Sequence, residues 1–173
     1  ARSYEIVALD LSADDAFGLG AMRETAGALP ERPILVQGDI DRPPLRPGQV
    51  DYLIYSASLH YSVDLQGCLR AAARLLRPGG ALIIMDTPIL TGDFTAMPPE
   101  EGQPPRRGRQ LPLTELKQAL AEAGLDFEIH DIDRGLRWAI RQWRIRFCGG
   151  VGFTLPLIIA QPTYPAARST GEF

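Results

Sequence analysis

The sequence predicts an α/β protein with a mainly parallel sheet, helices on both faces and an antiparallel final strand. Short apolar runs, such as Tyr4 to Leu9, Val50 to Tyr55 and Ala81 to Met85, alternate with segments of helical period. Apolar runs without polar alternation are typical of strands that are buried on both faces, as in parallel sheets. Strands that alternate with helices indicate the same architecture. The 173 residues suffice for a single domain, residues 1–173, with a hydrophobic core.

Local signals bound the elements of the first half of the chain. Ser12 or Asp14 is expected to cap a helix that continues to Ala28. The elements predicted after it are a strand at Ile34 to Val36, a strand at Val50 to Tyr55, a helix from Leu65 to Leu76 and a strand at Ala81 to Met85. The turn from Arg77 to Gly80 is expected to separate that second helix from the fourth strand, because proline and glycine interrupt helices.

The second half begins with a change of composition. Prolines, glycines and charges dominate from Pro88 to Pro112, so residues 88–112 are predicted to form a flexible loop or lid. Thr114 is expected to cap the following helix, which ends at Gly124. The elements predicted after it are a strand at Phe127 to Ile132, a helix from Gly135 to Phe147 and a strand at Phe153 to Ala160. The last two strands depart from the earlier rhythm, which favours an antiparallel pair.

The helix predicted from Gly135 to Phe147 has an arginine-rich side and an apolar stripe. The stripe consists of Leu136, Ile140, Trp143 and Phe147. We expect the stripe to pack on a core and the charges to face solvent. A contact of Arg137 and Arg141 with an anionic substrate or a partner subunit stays open as the alternative.

Composition and charge exclude several classes of function. A net charge of −3 argues against a dedicated nucleic-acid-binding protein, which normally carries a large positive excess. No apolar run approaches the roughly 18 residues that a membrane span needs. Cys68 and Cys148 lie too far apart for a disulfide framework or a zinc site. We therefore expect a reduced, cytoplasmic protein without a metal, a membrane or a nucleic-acid partner.

Polar residues follow several predicted strands, at the edge where open α/β sheets bind ligands. They are Asp10, Asp39, Ser56 to Tyr61, and Asp86 with Thr87. Asp10 stands where a carboxylate can accept hydrogen bonds from both hydroxyls of a ribose, and Asp39 where one can accept from an adenine amine. Leu11 and Ile40 offer apolar contact to the adenine ring. The alternatives are that Asp10 caps a helix and that Asp39 belongs to an Asx turn.

Several stretches of the chain are similar to class I S-adenosylmethionine-dependent methyltransferases that act on small molecules. Val7 to Ser12 resembles their second strand, Gln37 to Ile40 the turn after their third strand, Val50 to Ser56 their fourth strand, and Leu75 to Leu82 the turn before their fifth strand. The last of these is the most specific match. The resemblance extends from about Tyr4 to Ala160.

The resemblance implies a Rossmann-like sheet with strand order 3-2-1-4-5-7-6 and an antiparallel seventh strand. It also implies methyl transfer from S-adenosyl-L-methionine to a small molecule. Asp10 and Leu11 would contact the ribose and adenine, Asp39 and Ile40 the adenine, and the backbone of Ser56 and Ala57 the methionine end.

One part of the family pattern has no counterpart in the sequence. The glycine-rich turn should precede Asp10 by roughly 20 residues, which lies before Ala1. Gly18 and Gly20 do not replace it, because they follow the acidic residue. We therefore expect the first strand to be missing and a polypeptide of only these residues to bind the cofactor poorly. Such a chain can borrow a strand from a second copy, so a homodimer is compatible with the sequence.

Two side chains after the fourth family strand are candidates for the acceptor side of the site. His60 is the histidine nearest to the expected methyl position, and a general base helps when the acceptor is a hydroxyl or an amine. Tyr61 is a candidate for a wall of the substrate pocket. The alternative for His60 is that it caps the next helix.

Two other functions compete with methyl transfer. A nicotinamide-dependent oxidoreductase would also place an acid at Asp10, but a Tyr-x-x-x-Lys pair is absent from the sequence. A non-catalytic Rossmann-like module that acts through protein contacts is favoured by the absence of the glycine-rich turn. The turn from Arg77 to Gly80 favours the methyltransferase over the oxidoreductase.

Overall fold

A computed structural model of the protein describes residues 4–16, 18–27, 32–90, 111–140 and 153–163. These residues form an α/β fold with parallel and antiparallel strand pairs, as predicted. The chain divides into two compact units, Ala1–Leu45 and Arg46–Phe173. A single domain of residues 1–173 stays a prediction.

The first unit contains a parallel pair of strands with a helix between them in sequence. Strand β1 (Val7–Asp10) pairs with β2 (Ile34–Gln37), and helix α1 spans Leu19–Ala26. The predicted start of α1 is wrong, because Ser12 and Asp14 form local turns instead of capping the helix. The Ser12 hydroxyl accepts from the Asp14 amide at 3.2 Å, and the Asp14 carboxylate accepts from the Ala16 amide at 2.7 Å. Such side-chain turns compete with helix formation. Ala28 lies outside the described residues.

The main sheet of the second unit has four strands. They are β3 (Val50–Ser56), β4 (Leu76–Met85), β9 (Leu157–Pro162) and β7 (Leu125–His130), in that spatial order. Strands β3 and β4 are parallel, and β9 runs antiparallel to both β4 and β7. This arrangement confirms the 4-5-7-6 part of the expected strand order and the antiparallel final strand. The β1–β2 pair agrees with its 3-2 part, whereas a missing first strand stays a prediction.

Helices α2 (Leu65–Leu75) and α3 (Leu113–Glu122) complete the core of the second unit. Asp64 caps α2, since its carboxylate accepts from the Gly67 amide at 2.9 Å. The core consists mainly of fully buried aliphatic side chains, namely Leu59, Leu69, Leu82, Ile84, Leu116, Leu120 and Ile158. Cys68 is also fully buried, and its sulfur lies 3.2 Å from the Tyr55 hydroxyl. Cys68 is therefore a core residue of the second unit, whereas Cys148 lies outside the described residues.

Several boundaries in the second unit differ from those predicted, among them those of β7, which spans Leu125–His130 instead of Phe127 to Ile132. The turn from Arg77 to Gly80 lies inside β4, where the pairing with β3 shifts between Val50 and Tyr52. Helix α3 begins at Leu113, so Thr114 does not cap it. The predicted last strand is divided at Pro156 into β8 (Phe153–Thr154) and β9, because proline lacks the amide hydrogen that a sheet requires.

Both ends of the predicted loop form strands. Strand β5 (Ile89–Leu90) pairs with β6 (Leu111–Pro112) and with β8, giving the order β6-β5-β8. The apolar side chains of Ile89, Leu90 and Leu111 are buried, which explains why these residues belong to strands and not to the predicted loop. Residues 91–110 lie outside the described residues.

Residues 135–140 are helical, as predicted for this part of the chain. Leu136 and Ile140 are exposed, so these two members of the predicted stripe do not pack on a core. Trp143 and Phe147 lie outside the described residues, as does Arg141. None of the helices in the described ranges is both long enough and apolar enough to span a bilayer.

Candidate functional site

The carboxyl ends of β1 and β2 meet at one edge of the two-stranded sheet. Asp10, the last residue of β1, is in register with Gln37, the last residue of β2. The Gly38 amide donates a hydrogen bond to the Asp10 carbonyl at 3.0 Å, which holds the two strand ends together. Asp39 follows directly. The structure therefore brings Asp10 and Asp39 to the same edge, although their roles in cofactor binding stay predictions.

Each of these two carboxylates uses one oxygen to shape its own loop. Oδ1 of Asp10 accepts from the Ser12 amide at 2.8 Å, and Oδ1 of Asp39 accepts from the Asp41 amide at 2.9 Å. The Asx turn considered for Asp39 is thus present, and Asp10 makes a similar turn. Oδ2 of either residue makes no hydrogen bond within the described part of the chain. A carboxylate has room for several donors, so each turn orients the side chain and leaves an oxygen for a ligand.

Apolar side chains flank both carboxylates. Leu11 is 68% exposed and Ile40 is half-buried. The Leu11 carbonyl accepts a hydrogen bond from the Gln37 side-chain amide at 3.1 Å, so the backbone carrying this exposed leucine is tied to β2. An exposed apolar side chain beside a carboxylate suits a ligand with an apolar ring and polar substituents.

Gly18 and Gly20 lie where the backbone of the first unit leaves no room for a side chain. A Cβ atom on Gly18 would meet the Ser12 carbonyl, and one on Gly20 would meet the backbone of Asp14 and Asp15. Gly18 also has a φ of +71°, which favours glycine. The expectation that these two glycines are not the cofactor turn stays a prediction.

A second edge, in the four-stranded sheet, carries the residues predicted for the acceptor side. Ser56 ends β3 and is in register with Met85, which ends β4. The Ala57 amide donates to the Met85 carbonyl at 2.9 Å. Ala57 has a φ of +48° and Asp86 a φ of +54°, and both are non-glycine residues in the left-handed region. Such conformations are strained and concentrate at functional sites.

The strain at Ala57 gives a direct stability prediction. A left-handed non-glycine residue costs about 1–2 kcal/mol, whereas the flexibility of glycine costs about 0.5–1 kcal/mol. Ala57→Gly is therefore expected to raise the free energy of unfolding by about 0.5–1 kcal/mol. Urea unfolding measures this change. Ala71→Gly in α2 is the matched control and should lower it by a similar amount, because Ala71 is helical. Equal effects of the two variants would contradict the prediction.

His60 and Tyr61 lie in a short 3-10 helix, Leu59–Tyr61, beyond the end of β3. Their ring centroids are 4.2 Å apart. His60 does not cap the next helix, because Asp64 does so. Burial lowers the pKa of His60 below its usual 6.5 and so favours the neutral ring.

Two buried polar atoms in this unit have no hydrogen-bond partner among the described residues. They are Nδ1 of His60 and Oγ1 of Thr87, which follow β3 and β4 respectively. Buried polar atoms are nearly always satisfied by protein, water or ligand. This edge of the sheet can therefore accept a polar ligand group. In the same described ranges, no cluster of three or more His, Cys, Asp or Glu side chains could hold a metal.

An ion pair that the sequence did not reveal also lies at this edge. The Arg134 guanidinium donates from Nη2 to Oδ1 of Asp86 at 2.7 Å. The Arg134 guanidinium lies 5.7 Å from the ring centre of Trp138, which makes an edge-on contact with Phe153 at 5.6 Å. Asp86 was nominated by its position after a strand, but nothing in the sequence pairs it with a residue 48 positions away.

Both edges lie at the carboxyl ends of strands, where open α/β sheets bind ligands. Residues 1–84 match the family model of a methyltransferase domain. We found no curated protein of similar sequence. The predicted resemblance to class I S-adenosylmethionine-dependent methyltransferases is confirmed by this match and by solved structures of the same fold.

Three of those solved structures illustrate the likeness. Geranyl diphosphate C-methyltransferase from Streptomyces coelicolor A3(2) is 20% identical, with a TM-score of 0.65 over 90% of this chain and 61% of its own. The 4+2 cyclase SpnF is 18% identical, with a TM-score of 0.63 over 92% of this chain and 67% of its own. A methyltransferase from Mesorhizobium loti is 16% identical, with a TM-score of 0.61 over 91% and 80%. At these identities the likeness concerns the fold. The chain spans about three fifths of the first of these proteins.

Proposed function

We propose that the protein is a methyltransferase that transfers a methyl group from S-adenosyl-L-methionine to a small molecule. The observation that carries the proposal is the edge formed by Asp10 and Asp39, within the residues that match the methyltransferase model. Two carboxylates at the ends of neighbouring strands, each with an oxygen unused by the described chain, suit the hydroxyl and amine donors of an adenosine.

The residues present at this edge fit the adenosine part of the cofactor. Oδ2 of Asp10 would accept from the ribose hydroxyls, and Oδ2 of Asp39 from the adenine amine. Leu11 and Ile40 would cover the faces of the ring. When bound, the cofactor supplies a methyl group on a positively charged sulfur. The turns made by Ser12 and Asp41 hold the carboxylates in place before binding, which lowers the entropic cost of binding.

The second unit has residues of its own that are proposed to contact the methionine end and the acceptor. Ser56 and Ala57 would offer backbone groups near the methionine end, and Tyr61 a wall for the acceptor. Methyl transfer depends mainly on the alignment of the reacting atoms. The neutral ring of His60 is suited to take the proton of a hydroxyl or amine acceptor. We propose a small-molecule substrate rather than a nucleic acid or a membrane, and a homodimer stays a proposal.

A function without methyl transfer is the second candidate. One structural neighbour with this fold is described as a cyclase, so the fold hosts other chemistry. A non-catalytic module that acts through protein contacts also stays open. The nicotinamide-dependent oxidoreductase is less well supported, because the matching family model is that of a methyltransferase.

Binding and transfer assays on the full-length protein distinguish these candidates. We expect calorimetry to detect binding of S-adenosylmethionine and S-adenosylhomocysteine, with no binding of NADH. We also expect transfer of a tritium-labelled methyl group to members of a small-molecule panel. Binding without transfer would favour the cyclase-like function. The absence of both would favour the non-catalytic module.

His60→Ala in the full-length protein tests the proposed base. We expect a decrease of about a hundredfold in kcat/KM with a hydroxyl or amine acceptor. In the unsubstituted enzyme, activity should persist to pH values below 6.5 and then fall as the ring is protonated, because burial lowers the pKa of His60. The variant should lack this decline. The measurement is kcat/KM as a function of pH, and an unchanged rate and profile would discard the role.

A further inference from the structure

We infer that Asp86 is an acceptor-binding residue of the proposed methyl-transfer site and that Arg134 is its positioning residue. The inference rests on the proposed function and names the acceptor more closely. The group next to Asp86 would be a hydrogen-bond donor, such as a hydroxyl or an amine, and not a carboxylate. Three observations carry this inference: the backbone conformation of Asp86, the contacts that hold Arg134, and the unused oxygen of the carboxylate.

The backbone of Asp86 is held in a conformation that folding alone does not favour. Its φ of +54° lies beside the φ of +48° at Ala57, on two strands joined by the hydrogen bond from the Ala57 amide to Met85. A left-handed residue costs about 1–2 kcal/mol unless it is glycine, and aspartate tolerates it better than alanine. Two such residues on adjacent strand ends indicate a site where geometry is fixed at the expense of stability.

A connected set of contacts fixes the carboxylate of Asp86. Arg134 binds its Oδ1 at 2.7 Å, and the Arg134 guanidinium lies near the Trp138 ring. Trp138 in turn contacts Phe153 of β8. Phe153 is in register with Leu90 of β5, four residues after Asp86. The contacts therefore link Arg134, through Trp138 and Phe153, to Leu90, which lies in the same segment as Asp86. Both members of the ion pair are thus held by this segment.

The ion pair with Arg134 leaves one oxygen of the Asp86 carboxylate able to accept a hydrogen bond. Oδ2 of Asp86 makes no hydrogen bond within the described ranges, and the side chain is 39% exposed. An ionised carboxylate accepts hydrogen bonds but cannot donate them. A hydroxyl or an amine can therefore bind to Oδ2, whereas the carboxylate of a ligand has no hydrogen to donate to it. The single contact with Arg134 fixes the direction of the side chain without occupying both oxygens.

The test uses binding of three simple probes to the full-length protein saturated with S-adenosylhomocysteine. The probes are catechol, phenethylamine and benzoate, and ligand-observed NMR gives their dissociation constants. We expect benzoate to bind at least about tenfold more weakly than the other two. Asp86→Asn should weaken catechol and phenethylamine about tenfold and leave the affinity for S-adenosylhomocysteine unchanged. Asparagine has the same shape and tolerates a left-handed backbone.

A matched control and a conservative variant separate the positioning role from a general structural one. Asp51→Asn removes another aspartate–arginine pair, with Arg77, near the start of β3 and away from the strand ends. Its probe affinities should equal those of the unsubstituted protein. Arg134→Lys should retain more of the affinity for catechol than Arg134→Met, because lysine keeps a donor that can hold Oδ1 of Asp86. Urea unfolding confirms that all variants fold.

The outcomes of the two hypotheses are distinguishable. Equal binding of benzoate and catechol, no binding of any probe, or unchanged probe affinities in Asp86→Asn would overturn the role of Asp86. Failure of the protein to bind S-adenosylhomocysteine would instead refute the proposed function. In that case the same probes are titrated without S-adenosylhomocysteine. The difference in probe affinity between the unsubstituted protein and Asp86→Asn then still decides the inference.

Discussion

Replacement of Asp10 by alanine is expected to weaken binding of S-adenosylhomocysteine to the full-length protein by about tenfold to a hundredfold. The reason is the loss of an ionised acceptor for the ribose hydroxyls, since a hydrogen bond to a charged group contributes about 1.5–3 kcal/mol. Asp10 is the last residue of β1, and its Oδ2 makes no hydrogen bond within the described residues. Isothermal titration calorimetry measures the change.

Two further variants separate ligand binding from loop structure. Asp10→Asn keeps an oxygen that can accept from the Ser12 amide at the turn, so it should preserve the loop and still weaken binding. Asp14→Ala is the matched control, because Asp14 makes a similar turn to the Ala16 amide but does not end a strand. We expect its affinity to equal that of the unsubstituted protein. A loss in Asp14→Ala as large as that in Asp10→Ala would show that the loop, and not the carboxylate, determines binding.

The strands were the part of the fold best predicted from the sequence. Ala81 to Met85 is a continuous apolar run and Val50 to Tyr55 is apolar except for Asp51, and both lie within the observed strands β4 and β3. The expected burial on both faces is wrong for β3, because Tyr52 and Ile54 are exposed, whereas Leu82 and Ile84 of β4 are fully buried. The family resemblance supplied the spatial order β3-β4-β9-β7, which no local pattern contains.

Helix starts were harder to predict, because several residues can serve as a cap. Ser12 and Asp14 are both suitable, yet each forms a local turn, and α1 begins only at Leu19. Thr114 is suitable as well, but α3 starts one residue before it, at Leu113. Pairing of β5 with β6 brings the chain to that point. Local side-chain turns thus decided the start of α1, and a strand pairing the start of α3.

The candidate site was predicted only in part, from the rule that open α/β sheets bind ligands at the carboxyl ends of their strands. That rule nominates Asp10, Asp39 and Asp86 because each follows a strand, and the structure places each at a carboxyl end. The left-handed backbone at Ala57 was not foreseen, since alanine gives no signal for it. The pairing of Arg134 with Asp86 was not foreseen either. That pairing depends on how β7 and β4 are placed in the sheet.

Substitution of Ile84, a core residue close to this edge of the sheet, is expected to have a large effect on stability. Ile84 is fully buried in β4, in register with Tyr55 of β3 on one side and Ile158 of β9 on the other. Ile84→Ala is expected to lower the free energy of unfolding by about 2–5 kcal/mol, because it removes buried methylene groups and leaves a cavity. Urea unfolding followed by circular dichroism measures this loss.

Ile54→Ala is the matched control for that substitution. Ile54 lies in the neighbouring strand β3 and is 55% exposed, so its truncation should cost less than about 1 kcal/mol. Because Asp86 follows β4 by one residue, the cavity at Ile84 should also loosen the ion pair with Arg134 and reduce the preference for catechol over benzoate. Equal destabilisation by the two substitutions would mean that the two faces of the sheet are similarly packed. The exposed face would then be covered in solution, and the expected difference between the two positions would be wrong.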